Sequence, residues 1–119
     1  YFLTSKYGIP HGHAVWLTLP KIFEIHWNTN DDKNLNLKSY ENFKNSLKEI
    51  IKLLDISEKN LLNKLQEFLV TLGLEFSMEK MGVSSKFARR EISQKVNLER
   101  LKNNPVSFSE SNIREIFNL

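Results

Sequence analysis

The chain has 119 residues, 40% of them hydrophobic and 26% charged, which fits one domain with one core, and it has no cysteine for disulfides or thiolate metal sites. The net charge of +3 is dispersed, with Lys and Arg alternating with acids as in Lys48-Glu49, Glu79-Lys80 and Arg89-Arg90-Glu91, which reads as solvated helix surface and argues against a nucleic-acid partner. No stretch is apolar for long enough to span a bilayer and no basic-then-apolar leader precedes a cleavage site, so the expectation is a cytoplasmic protein without a membrane partner.

The chain opens on Tyr1 inside an ordered-looking segment, as a piece of something longer would. From there the apolar spacing is helical almost throughout, and the β-branched alternation of strands is missing. A first helix is expected from about His11 to about Trp27. Ala14, Val15, Trp16, Leu17, Leu19, Ile22, Phe23, Ile25 and Trp27 leave it little polar face, which places it in the middle of a bundle. Pro20 lacks an amide donor and crowds the carbonyl of Trp16, so a kink is predicted there. Residues 28–36 form a polar loop.

A second helix follows from about Leu37 to Leu54, with Tyr40, Phe43, Leu47, Ile50, Ile51 and Leu54 on its apolar stripe. Ser57 is the expected N-cap of a third, Glu58 to Leu72, buried along Leu61, Leu65, Phe68 and Leu72 and stopped by Gly73. In residues 74–85, Phe76, Met78 and Met81 pack under a loop and Gly82 marks a turn. A shorter helix carries Phe87, Ala88, Ile92 and Val96, and a further turn or helix carries Leu98 and Leu101. Asn103-Asn104-Pro105 breaks the chain. Ser109 caps a last helix whose Ile113, Ile116 and Phe117 share a face. The expected fold is an all-α bundle of about five to seven helices.

The histidines do not make a metal site by themselves. His11 and His13 are two apart and point to different sides of a helix, and His26 lies roughly 22 Å farther along the axis at 1.5 Å per residue. His26 reads as an interfacial side chain near a helix end, where the dipole tolerates a cation. His13 either lines a cleft or bonds a backbone carbonyl. His11, between Pro10 and Gly12, opens a helix, and a helix N-terminus favours the neutral ring that a metal takes. A capping histidine would look the same locally.

The segment IPHGHAVWLTLPKIFEIHWN, residues 9–28, closely resembles the part of iron-type (group III) alcohol dehydrogenases in which a metal-ligand histidine opens a long buried helix. YFLTSKYGIPHG looks like the lead-in to that histidine, and VNLERLKNNPVSFSESNIREIF, residues 96–117, resembles the family's ending. The wider superfamily includes glycerol dehydrogenase and dehydroquinate synthase. The resemblance implies that residues 1–119 are the metal-binding, all-helical C-terminal domain of such an enzyme, in the dehydroquinate synthase-like fold. Its partner is then its own N-terminal nucleotide-binding domain, which carries a glycine-rich phosphate loop and holds most of the NAD(P).

In the family one divalent metal, Fe2+ or Zn2+, sits between the domains on an aspartate and up to three histidines. By resemblance His11 is one ligand, another histidine falls just ahead of Tyr1, and the aspartate lies earlier still. The implied reaction is hydride transfer between an alcohol and an aldehyde or ketone. His13 is carried as a substrate-cleft residue, and a homodimer is possible. Relatives carry a further histidine where this chain has Tyr1 or its neighbours, so no proton relay is assigned. Two alternatives remain at this stage. One is a dehydroquinate synthase-like cyclase, whose usual HGE differs from HGHAVWLTLP here; the other is a non-enzymatic helical interaction module.

Overall fold

The computed structural model describes residues 1–30, 33, 35–36, 40–57 and 60–119. Among them, seven helices of six or more residues and one single turn account for all the regular structure apart from an isolated antiparallel bridge between Leu35 and Val106. The all-α expectation holds. None of these helices is long and apolar enough to cross a membrane.

The first helix, α1 (Phe2–Tyr7), was not anticipated. It ends at Gly8, whose φ of 67° is left-handed and whose amide returns to the Thr4 carbonyl at 3.1 Å; a glycine takes that conformation without a Cβ penalty. Ile9 then drops into the core and Pro10 leads into α2 (His11–Trp16).

The single kinked helix expected over 11–27 is two helices. α2 stops at Trp16, and α3 (Leu19–Asn28) starts afresh with Pro20 in its first turn. Pro20 is the reason. Continued through, its ring would crowd the Trp16 carbonyl, whereas in a first turn its missing amide has no intrahelical partner to lose. Thr18 closes the break, its amide and hydroxyl both donating to the Val15 carbonyl at 3.1 and 3.0 Å. The all-round burial also fails for α2, since Val15 is 44% exposed.

The fourth helix, α4 (Tyr40–Leu53), buries Phe43, Leu47 and Ile51 at four-residue spacing and leaves Ile50 and Leu54 outside. Its expected start at Leu37 lies outside the described residues, as does Glu58 ahead of α5 (Leu61–Thr71). Asn60, not Ser57, stands at the N-cap of α5. That helix buries Leu61, Leu65 and Leu69, while Phe68 and Leu72 are 49% and 55% exposed. Both rows are legitimate helix stripes; α5 packs against α3 through Leu61 and Leu65, and Leu69 continues that row into the interior. Gly73 stops the helix as expected, with φ 70° and Leu74 N–H returning to the Leu69 carbonyl at 2.9 Å.

In the loop after α5, Met78 and Met81 pack on the core, but Val83 is the fully buried residue and Phe76 is exposed. Ser85 Oγ caps α6 (Lys86–Gln94) at the Ala88 amide, 3.0 Å away. Ile92 faces the core from α6, while Phe87 is 79% exposed. Asn97 caps the one-turn α7 (Leu98–Leu101), and Ser109 with Asn112 forms a reciprocal capping box for α8 (Glu110–Ile116).

The largest core cluster gathers Ile9, Val83, Ile116 and Phe117 with Leu3, Ala14, Ile25 and Ile92. Two smaller ones centre on Phe43–Leu47–Val106 and on Ile51–Leu61–Leu65, and Phe23 and Trp27 of α3 pack against both. α3 is therefore the central helix, which keeps for its second half the position expected of the whole 11–27 segment.

Candidate metal centre

Because α1 reverses at Gly8, Tyr1 at its start and His11 at the start of α2 lie side by side. Their rings stack at 5.2 Å between centroids and 22° between planes. The Arg100 guanidinium of α7 sits 5.3 Å from the Tyr1 ring centroid. These side chains edge an open groove of about 910 Å³ between α1, α2 and the α6–α7 region, floored by Leu3, Ala14, Ile92 and Phe117. His11 is exposed on its wall, with its ring on the open side of the fold.

His13 has turned the other way. It is buried, and its Nε2 bonds the carbonyl oxygen of Glu75. A carbonyl only accepts, so this nitrogen carries the proton. Of the two expectations for His13, the backbone bond is the one realised, and the residue is not in the wall of the groove beside His11. Its partner segment is itself tied down. Glu75 Oε1 accepts from the Phe76 and Ser77 amides at 2.9 Å each. The Ser77 amide foremost, with Lys80 at 3.3 Å, holds this carboxyl below the usual range.

His26 is not the interfacial cation expected from its place near the end of α3. It is buried, 5.8 Å from the ring centroids of both Phe43 and Phe108, and its Nε2 lies 2.7 Å from Asn104 Oδ1. The same oxygen accepts the Val106 amide at 3.1 Å, which identifies it as the acceptor and makes His26 Nε2 the donor. Burial pushes the imidazole down from its ordinary value of 6.5, and the Asn104 bond opposes this only in part.

The folded state therefore prefers neutral His26, and the unfolded chain takes up the proton first as pH falls. Stability is full above about pH 6.5 and declines below it until the folded ring titrates too. Urea unfolding at about pH 7.5 and about pH 5.5 should show this loss, and His26→Gln should flatten it. An equal pH response in the variant would contradict the assignment.

The three histidines thus occupy three separate environments. Among the described residues, no group of three His, Cys, Asp or Glu side chains could hold a metal ion. The sequence reading missed Tyr1 and Arg100 beside His11, although Gly8-Ile9-Pro10 was a turn signal that could have folded Tyr1 back.

The model of the Fe-containing alcohol dehydrogenase family, C-terminal, matches residues 1–119. The chain belongs to that family. No curated protein and no solved structure matches it. The family is an oxidoreductase domain, and membership implies an N-terminal partner domain together with metal and NAD cofactors. Of the three histidines, His11 alone is exposed. An exposed imidazole suits iron and zinc alike, but it is one donor where a catalytic zinc site has three protein ligands.

Proposed function

We propose that this chain forms one wall of the active-site cleft of an NAD(P)-linked alcohol dehydrogenase and contributes His11 as one ligand of its divalent metal. The observation that supports this is a division among the histidines: His13 and His26 are committed to internal hydrogen bonds, while His11 stands exposed at the groove. The remaining donors and the nucleotide site would come from the N-terminal partner domain that the family implies.

When bound, the metal supplies a Lewis acid that polarises the alcohol or carbonyl oxygen for hydride exchange with nicotinamide. This chain's residues bind and orient. His11 would hold the metal from the first turn of α2, where its ring stacks on Tyr1. Leu3, Ala14 and Phe117 offer an apolar wall that excludes water from the substrate's carbon chain.

Turnover separates this reading from the alternatives. The intact enzyme should reduce NAD(P)+ with simple alcohols only when metal is present. The 119-residue chain alone should show no turnover and hold iron or zinc weakly, because one imidazole is a small part of a shell. Alcohol oxidation by the isolated chain, or cyclisation without net cofactor reduction by the intact protein, would overturn it.

A further inference from the structure

The groove beside His11 carries charge of one sign. Its wall contains Lys95 and Arg100 but no Asp or Glu. Elsewhere lysines meet carboxylates, as in Lys21–Glu24 at 2.8 Å, Lys64–Glu67 at 2.6 Å and Lys80–Glu75 at 3.3 Å. Among the described residues neither Lys95 nor Arg100 is in an ion pair. The backbone of Arg100 is nevertheless fixed, its amide donating to Asn97 Oδ1 at 2.9 Å within the capped α7 turn. The same wall holds Thr4, whose Oγ1 is buried with no hydrogen-bond partner, among otherwise mainly apolar side chains.

We propose that this groove takes alcohols with an apolar body and an anionic end, a carboxylate or a phosphate monoester, and that Arg100, assisted by Lys95, reads the anion. The substrate assignment rests on the reading that His11 marks the metal side; the anion site stands on the groove alone. The guanidinium fork matches the oxygens of either anion through paired, charge-assisted hydrogen bonds. A neutral alcohol would cover the apolar floor and leave Lys95 and Arg100 without a counter-ion. Arg100 is separated from the His11 ring by no more than the Tyr1 stack, so the anion sits a short chain away from the reacting carbon.

Binding is measured first, without turnover. An NMR titration of the chain with pentanoate, pentyl phosphate and 1-pentanol should give saturable shifts at Thr4, Val15 and Arg100 with an anion, and far weaker binding of pentanol. The tighter anion names the class. Arg100→Met should weaken anion binding roughly tenfold or more, as for a lost charge-assisted bond, and Arg100→Lys should restore part of it. Equal affinity for pentanol, or indifference to Arg100→Met, would overturn the proposal.

In the intact enzyme the preference for 5-hydroxypentanoate over 1-pentanol should fall in Arg100→Met, through KM. Anion binding without any alcohol oxidation would sink the dehydrogenase reading and leave the anion site standing. Oxidation of both alcohols with no anion binding would do the reverse. Loss of anion binding in the intact enzyme would make the groove an interdomain contact and overturn the substrate assignment.

Discussion

Replacing His11 by alanine in the intact enzyme should remove the metal and the activity together. Changing a residue that merely orients a metal ligand costs about 10–100-fold in affinity or activity, so deleting a ligand should exceed that, with kcat/KM falling by roughly 1,000-fold or more. The fold should not notice. His11 is exposed, and among the described residues its one ring contact is with Tyr1, itself 83% exposed. A surface change of this kind shifts stability by about 0.5 kcal/mol or less. Metal content by mass spectrometry, measured beside thermal unfolding, therefore separates a ligand from a packing residue. Stoichiometric metal in His11→Ala would show that the assignment is wrong.

The largest expected effect on stability belongs to Asn104→Ala. Asn104 Oδ1 accepts from two buried groups, His26 Nε2 at 2.7 Å and the Val106 amide at 3.1 Å. Each buried donor left unmet costs about 1–3 kcal/mol, so the variant should lose roughly 2–6 kcal/mol. The damage is concentrated at one joint. The carbonyl of Asn104 accepts from Asn36 Nδ2 at 2.8 Å, the Asn36 amide donates to the Pro105 carbonyl at 2.9 Å, and Ser107 Oγ donates to Asn36 Oδ1 at 2.7 Å. Through these bonds the segment after α7 is tied to α3 and to the loop ahead of α4. Urea unfolding should show a lower midpoint at unchanged m-value, and an unshifted midpoint would contradict this account of the joint.

The parts of the fold that depend on neighbouring residues were legible in the sequence. Ser109 before Glu110 and Gly73 after Leu72 mark helix ends because the cap is made within a few residues. Pro20 announces a disruption in the sequence but not its degree, since whether a helix bends or restarts depends on what the next helix packs against. The choice between Leu69 and Phe68 or Leu72 is tertiary in the same way: helical period allows both rows, and packing decides. The Asn104–His26 bond spans 78 residues, and nothing in Asn103-Asn104-Pro105 announces it beyond a chain break.

At the site, the ligand role proposed for His11 comes from the resemblance and not from spacing. The place of His11 between Pro10 and Gly12 at a helix start suits a ligand or a cap alike, and IPHGHAV alone points to the ligand. What separates His11, His13 and His26 physically is the direction each ring takes: one to open surface, two to acceptors inside the fold.

The most direct test of the central claim is an anomalous-difference map from crystals of the intact, metal-loaded enzyme, with data collected at the iron or zinc edge. The account predicts a peak at coordination distance, about 2.0–2.2 Å, from a ring nitrogen of His11, shared with donors from outside this chain. A fully occupied metal peak that His11 does not touch would contradict it.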